Sequence, residues 1–448
     1  MQMTKPIQLS DHFNFRRLFR FTLPSIASMI FASIYGIVDG FFVSNYVGKI
    51  PFAGLNIIMP FIMMLGAVGN MIGLGGSALI GKTLGEGDRE KANSLFSFFT
   101  YFMAGAGVVL AILGNIFLPQ IAVLLRAEGE VLKYAVLYGR ICLVGLIFLS
   151  LQYALQGFLI TAEKPHLGFY VTVAAGVTNM VLDALFIVVF KWGLAGAALA
   201  TVIGQFIGAI VPIIMFANPK NDWILKLGKA KFDGRSLLKA CTNGSSEFLS
   251  NVSMSVVGML YNTQLLKYAG NDGVVAYGVL MYVNMIFIAV FFGFTVGISP
   301  IMSFNYGAGN TTELKSLFKK CSTIIGAASL TMLLAAELLA RPLAMIFTSY
   351  DAELLELTIH AFSIYSVSFL FCGIGIFGSA LFTAMNNGLI SALISFIRTV
   401  ILQAAFVFIL PLFWKIDGIW WSAVFAEGIA ASLSIIFIIA YRKKYQYM

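Results

Sequence analysis

Gly81-Lys-Thr-Leu-Gly-Glu-Gly-Asp88 and Ser303-Phe-Asn-Tyr-Gly-Ala-Gly-Asn310 decide how this chain is built. They stand 222 residues apart (303 − 81 = 222), and the same shift lays the chain on itself without a gap. It carries Thr161-Ala162 onto Thr383-Ala384, Trp192 onto Trp414, Gly196 onto Gly418, and Ser94-Leu95-Phe96 onto Ser316-Leu317-Phe318. Such self-similarity means one fold built twice. The glycines suit sharp turns between helices, since they reach backbone angles that other residues resist. A phosphate-binding loop is the other reading of a glycine-rich stretch, but G-x-x-x-x-G-K-[ST] is absent and no strand precedes.

Outward from these turns the chain is apolar. Of 448 residues, 59% are hydrophobic and 11% charged, where a soluble protein carries about 25% charged. Runs of roughly 20 apolar residues recur along almost the whole length, the mark of membrane-spanning helices. They place six spans near 18–43, 52–80, 92–118, 131–158, 167–190 and 194–216. Six more follow near 237–266, 273–304, 314–339, 352–382, 389–413 and 416–441. The short alternating segments of an outer-membrane barrel do not appear. The expected fold is an all-α polytopic membrane protein, with twelve transmembrane helices in two pseudo-symmetric six-helix lobes. Residues 1–217 form the N-lobe and 237–448 the C-lobe, joined by a basic linker, 218–236. Six spans per lobe leave both copies in one orientation, related by an axis along the membrane normal.

The net charge of +9 is distributed asymmetrically. Arg16, Arg17, Arg20, Lys82, Arg89, Lys91 and Lys164 fall on the side of the termini. So do six basic residues of the linker region, Lys315, Lys319, Lys320, Arg442, Lys443 and Lys444. Loops on the other side hold only Lys49, Arg126, Lys191, Lys267, Arg341 and Lys415. That asymmetry predicts a multi-pass protein of a bacterial inner (plasma) membrane with both termini cytoplasmic. It assigns the basic residues to orientation and gives no reason to expect nucleic acid; the surroundings to expect are membrane lipids. The first apolar stretch follows Arg16, Arg17 and Arg20 and runs into a full span, so a retained helix is expected rather than a cleaved signal. Cys142, Cys241, Cys321 and Cys372 lie apart, as do His12, His166 and His360. Disulfides, metal catalysis and a bound cofactor are not expected, and neither is an enzyme, for no nucleophile, base and metal constellation appears.

Chemistry concentrates in the few charged residues inside spans. Each costs about 2.5–3.5 kcal/mol on insertion scales, so such groups face protein or water and serve function. Asp39 in the first helix and Asp183 in the fifth fall at similar depth, roughly 10 Å inside the boundary opposite the termini at 1.5 Å per residue. Thr201 and Tyr138 reach a matching depth. Tyr35 and Asp39 are four apart, as are Asn179 and Asp183, and Thr201 and Gln205, so each pair shares a helix face. Asp39, Asn179, Asp183 and Thr201 are the expected ion-coupling group, with Tyr35, Tyr138 and Gln205 as support. Two carboxylates close together in a low-dielectric span resist joint ionisation, which suits one of them to hold a proton.

The second copy lacks this group: Asn179, Asp183 and Thr201 fall on Ile401, Ala405 and Ala423, and Asp39 falls on Tyr261. Glu247 and Glu427 remain there as candidates for substrate contact, with Tyr261, Met281 and Phe287. Glu247 has a structural alternative, an ion pair with Arg398. Met59, Phe61, Met63, Met64, Phe291 and Phe292 extend the candidate cleft lining, an adaptable apolar surface suited to varied amphipathic ligands. Gly36 and Gly40 are expected to pack closely against the fifth and sixth helices. Pro24 and Pro60 permit kinks.

Taken in order along all twelve spans, several motifs resemble the MATE (multidrug and toxic compound extrusion) family. They are Pro24-Ser25, Ile37-Val38-Asp39, Gly85-Glu-Gly-Asp88 with Ala92, and Gly157 before Thr161-Ala162. Asn179-Met-Val-Leu-Asp183 and Gly193-Leu-Ala-Gly196-Ala-Ala complete the set. The resemblance implies a V-shaped pair of lobes that exchange cations for drugs. It implies an N-lobe ion site at Asp39, Asn179, Asp183 and Thr201, with Tyr35 and Tyr138 nearby. In another branch of that family, carboxylates of the seventh and tenth helices matter; here the tenth has none in its interior.

The function expected from this reading is export of amphipathic, often cationic, compounds in exchange for protons, sodium or both, by a monomer. A lipid-linked precursor flippase is one alternative and would be expected to show cationic side chains in the cleft. An uncoupled carrier is the other and would tolerate loss of both aspartates.

Overall fold

The computed structural model describes residues 7–349 and 351–448, the side chain of Ser255 excepted. Every described secondary-structure element is helical, as a chain of such apolar spans must be. Inside a bilayer each backbone N–H and C=O has to be satisfied within the segment itself. The first lobe holds α1 (Phe15–Phe42), α2 (Lys49–Gly85), α3 (Arg89–Leu124), α4 (Gly129–Val144), α5 (Leu146–Thr161), α6 (Pro165–Asp183) and α7 (Gly193–Ala217). The second holds α8 (Gly234–Gly307), α9 (Thr311–Thr348), α10 (Ala352–Tyr365), α11 (Ser368–Ala384), α12 (Gly388–Phe396), α13 (Gln403–Ile409) and α14 (Pro411–Tyr445).

Nine of the described helices are long and apolar enough to cross a membrane, and α4–α5 and α10–α11 each make one bent crossing, for eleven. The 74 residues of α8 break at Gly270, whose φ of 61° and ψ of −149° are not helical. At 1.5 Å per residue that run is far longer than a bilayer is thick, so it counts as two crossings and the total is twelve.

Two crossings bend sharply without proline. The α4–α5 crossing turns by 54° and the α10–α11 crossing by 46°. Pro24 and Pro60 lie inside α1 and α2 without breaking either helix.

The repeated glycine-rich turns are also where the lobes meet. A Cβ on Gly85 would lie 2.0 Å from the Phe304 carbonyl oxygen, and one on Gly307 would lie 2.1 Å from that of Lys82. Gly75 and Gly244 are equally tight, against Ala240 O at 2.0 Å and Met71 O at 1.8 Å. Only glycine allows two backbones this close. Across the same face Asn386 Nδ2 donates to Ala78 O at 3.2 Å, and Asn243 Nδ2 donates to Asn386 Oδ1 at 2.8 Å. The other close approaches between the lobes, Gly293 on Ile26 at 2.5 Å and Gly297 on Thr22 at 3.1 Å, lie in the same half of their helices, and none occurs among the described glycines of the far half. The lobes are therefore closed on the side of the termini and parted on the other.

Two polar segments fasten the closed side. The linker lies along α3: Asn93 Oδ1 accepts from Lys226 N at 2.6 Å, Ser97 Oγ from Gly228 N at 2.9 Å, and Leu225 is buried. The N-terminal strap touches both lobes. Leu9 N donates to Glu163 Oε1 at 2.7 Å, Phe13 N donates to Glu313 Oε1 at 2.9 Å, and Leu9 and Phe13 are fully buried.

Candidate functional site

A cavity of about 460 Å³ lies between the lobes. Its N-lobe wall carries Tyr35, Asp39, Asn179, Thr201 and Gln205, and its C-lobe wall carries Glu247, Asn251 and Phe292. Glycines set this convergence. A Cβ on Gly176 of α6 would sit 2.6 Å from the Phe31 ring and 3.0 Å from that of Tyr35. One on Gly204 of α7 would sit 2.9 Å from Ala175 O and 3.2 Å from Asn179 Cβ. So α1, α6 and α7 approach closely because α6 and α7 offer glycine at the crossings. Gly36 and Gly40, expected to do this packing, meet nothing; that expectation is corrected.

Asp183 lies behind the wall rather than on it. It is fully buried, and neither carboxylate oxygen has a hydrogen-bond partner among the described residues. Asp39, 8% exposed, faces it closely enough for the two carboxyls to share one proton, and beyond that pairing its Oδ1 too has no donor among the described residues. Asn179 Oδ1, Thr201 Oγ1 and Tyr138 OH complete a group of buried, unsatisfied polar atoms. Tyr138 is fully buried against Cys142 and Thr201 and does not reach the cavity. A buried polar atom without a partner costs about 1–3 kcal/mol, more when charged. Six oxygens gathered at that cost describe a place for something that supplies the missing hydrogen bonds or charge: a proton, or a small hard cation that takes oxygen ligands.

The backbone contributes too. Immediately after Asp183 the helix widens into a π turn, Ala184–Val189, and another, Val43–Val47, follows Asp39 by one helical turn. Such insertions are frequent at functional sites because they disturb the i→i−4 ladder and re-aim side chains.

The C-lobe has a cavity of its own, about 130 Å³, lined by Tyr261, Met281, Arg398, Gln403 and Glu427 among others. Here the polar groups satisfy one another. Arg398 Nε donates to Glu427 Oε2 at 2.7 Å and Nη2 donates to Cys372 Sγ at 3.3 Å, while Tyr261 OH donates to Gln403 Oε1 at 2.7 Å. The alternative pairing of Arg398 with Glu247 is overturned: Glu427, from α14, takes the guanidinium. A π turn, Ile397–Leu402, carries Arg398.

Of the expected apolar lining, Met59, Met63 and Phe292 face the central cavity. Phe287 lines neither cavity; its ring packs edge-on against Phe369 at 4.9 Å. Phe61 and Met64 are also outside the central lining, and Phe291 is buried in the C-lobe core. Sequence reasoning missed Asn70, Gln152, Tyr153, Gln156 and Thr172 on the N-lobe wall. Gln152 and Gln156 stand one helical turn apart, a polar stripe that was there to be read.

Twelve apolar crossings in two related lobes, around a largely apolar cavity with a few polar groups on its walls, define a multi-pass membrane protein of the transporter kind. The MatE family model matches twice, over residues 24–185 and 248–409, and the chain belongs to that family. The multidrug export protein MepA of Staphylococcus haemolyticus (strain JCSC1435) is 26% identical over 434 residues, covering 96% of this chain and 94% of its own. MepA of Staphylococcus aureus (strain MRSA252) is 24% identical over 430 residues, with the same coverage. Among solved structures, an outward-facing multidrug resistance MATE family transporter of the MOP superfamily superposes with a TM-score of 0.92. Its sequence is 22% identical, and the superposition covers all of both chains. A MATE structure in the bent conformation superposes at 0.89, with 23% identity over 99% of this chain and 100% of that one. At such identity the structural likeness speaks for the fold.

Proposed function

We propose that the chain exports amphipathic, often cationic, compounds by alternating access, driven by inward movement of protons, sodium or both through the N-lobe. The carrying observation is the group of unsatisfied oxygens of Asp39, Asn179, Asp183, Thr201 and Tyr138, which borders a cavity between the lobes on one side only. The export activity named for the MepA relatives supports the cargo class. Basic residues gathered on the terminal side support cytoplasmic termini in a bacterial plasma membrane. With that orientation the parted side of the lobes faces outward.

The oxygen group supplies the linkage. An ion entering from the parted side satisfies the carboxylates and lets α1 and α6 repack, which lowers the affinity of the shared cavity for cargo. Closure on the parted side and opening toward the terminal side then releases the ion inward. Each monovalent charge crossing 100 mV contributes about 2.3 kcal/mol to the exchange. A lipid-linked precursor flippase is disfavoured because none of the described residues lining the central cavity is cationic. The chain acts as a carrier rather than an enzyme.

Asp39→Asn and Asp183→Asn, expressed at parental level in cells lacking other exporters, are expected to lose drug export at every sodium concentration and pH. Sodium and pH varied independently for the parent protein separate the coupling ions. Parental export rates in either variant would reject the assignment and favour an uncoupled carrier.

A further inference from the structure

We infer that residues 9–13 latch the two lobes together on the terminal side, and that the hydrogen bond from Leu9 to Glu163 is where the latch lets go. This goes beyond the export reading but rests on its alternating-access cycle, in which the lobes must part on that side. Leu9 is held by both lobes at once. Its N–H donates to Glu163 Oε1 of the N-lobe at 2.7 Å, and its carbonyl accepts from Asn305 Nδ2 of the C-lobe at 3.5 Å. Its side chain is fully buried. Both bonds lie on one residue, so the strap has no slack between them. The lobes part at this point only when one of the two breaks.

The holds are unequal. Beyond Leu9 the C-lobe grips the strap again: Phe13 N donates to Glu313 Oε1 at 2.9 Å, His12 Nδ1 pairs with Glu313 Oε2, and Lys320 Nζ donates to Phe13 O. Phe13 is fully buried within the C-lobe core. The strap then runs into α1, whose first half packs on α8 at Gly293 and Gly297. Asn305, Glu313 and Lys320 thus keep the strap with the C-lobe as the lobes separate, and the contact that gives way is the one at Glu163. The backbone at Glu163 shows that its side chain matters. Its φ of 64° lies in the left-handed region, which glycine enters freely and a glutamate does not. The matching turn of the C-lobe puts Asn386 in the same region, at φ 57°, and that side chain also reaches the other lobe, at Ala78 O. The two acids are not products of the duplication. Under the 222-residue shift Glu163 falls on Met385, beside Asn386, and Glu313 falls on Lys91. Each lobe has one acid that the other lacks at that place, and both accept an amide of the strap.

The test reads opening of the terminal side on the purified full chain in nanodiscs. Spin labels at Glu90 and Lys315, exposed residues near the starts of α3 and α9, give the distance. Glu163→Ala removes the acceptor and is expected to raise the ratio of long to short distances about tenfold, the scale of one such hydrogen bond. Glu163→Gln keeps an acceptor oxygen and should stay within about twofold of parent, a rescue that general loosening of the turn would not give. Glu313→Ala leaves Asn305 and Lys320 in place and should open the side less. Added to Glu163→Ala, it should change the ratio by less than about twofold, because a latch free at one end gains nothing from release at the other. Unchanged distances in Glu163→Ala, equal opening in Glu163→Gln, or effects of the two alanines that multiply would overturn the latch. Opening that follows Glu163 in this way while the parent exports no drug would sink the export reading and leave the latch standing.

Discussion

The two lobes share one architecture and treat buried charge in opposite ways. In the N-lobe, Asp39 and Asp183 stand with Asn179, Thr201 and Tyr138, and their oxygens are left unsatisfied. In the C-lobe the guanidinium of Arg398 lies 2.7 Å from Glu427, and the two charges neutralise each other within the protein. A site that holds its own cation has no need of one from solution. A site that does not is sensitive to whatever the solution supplies. Duplication made two equivalent bundles, and the difference lies in a handful of positions: Ile401, Ala405 and Ala423 where the first copy has Asn179, Asp183 and Thr201.

The largest effect should come from trying to move the charge between lobes. Asp183→Ala is expected to reduce ion-driven export to background. Adding Ala405→Asp, at the matching place in the C-lobe, should not restore it, because the amide and hydroxyl of the first copy are replaced there by Ile401 and Ala423. Recovery of export in the double variant, measured as dye efflux at equal expression, would erase the claimed asymmetry.

Breaking the C-lobe pair comes next. Arg398→Met leaves Glu427 buried without its partner, and such single removals cost about 3–5 kcal/mol. The double variant Arg398→Met/Glu427→Gln removes both charges and is expected to recover most of that loss. Thermal unfolding in detergent checks both. A double variant as unstable as the single one would mean that the pair is not an isolated unit.

How much of this was legible depended on what the membrane enforces. Twelve spans and the repeat were plain, because hydrocarbon forbids irregular backbone and demands long apolar runs. Asp39, Asn179 and Thr201 could be placed together from helical spacing and depth alone. Arg398 found Glu427 rather than Glu247 because helix packing, which spacing along one chain does not report, decides between two acids. The bends between α4 and α5 and between α10 and α11 carry no proline to announce them. Gly36 and Gly40 looked like a packing motif yet face open space. The close approach of α1, α6 and α7 rests instead on Gly176, which stands in no such motif, and on Gly204, whose four-residue spacing to Gly208 matches that of Gly36 and Gly40.

A third test addresses the face where the lobes agree. Gly85→Val puts side-chain atoms where Phe304 O already stands 2.0 Å from a Cβ position, so the closed terminal side must open to accept them. Spin labels at Glu86 and Asn310 are expected to report a shift toward longer distances, with export slowed rather than abolished. Unchanged distances would show that the turns yield without parting the lobes.

The smallest effect concerns the strap that crosses that face. Glu163 lies in the turn between the fourth and fifth crossings and takes the Leu9 amide at 2.7 Å. Burial raises its pKa above the ordinary 4.5, outweighing the Leu9 N–H and the nearby Lys164, which pull the other way. The folded protein therefore holds this proton more tightly than the unfolded chain does. The resulting stabilisation is fully present below the unfolded value and is lost as pH rises through the folded one. Glu163→Gln stays neutral throughout, so raising the pH from acid toward neutral should cost the parent stability that the variant keeps. The effect is limited by partial exposure of the site, and a difference of about 1 °C in Tm is the scale expected for a fraction of a kcal/mol in a chain this long. Melting curves of parent and variant at matched pH decide it: a gap that widens toward acid would reverse the sign and place the ionised carboxylate, rather than the neutral acid, as the better partner for Leu9.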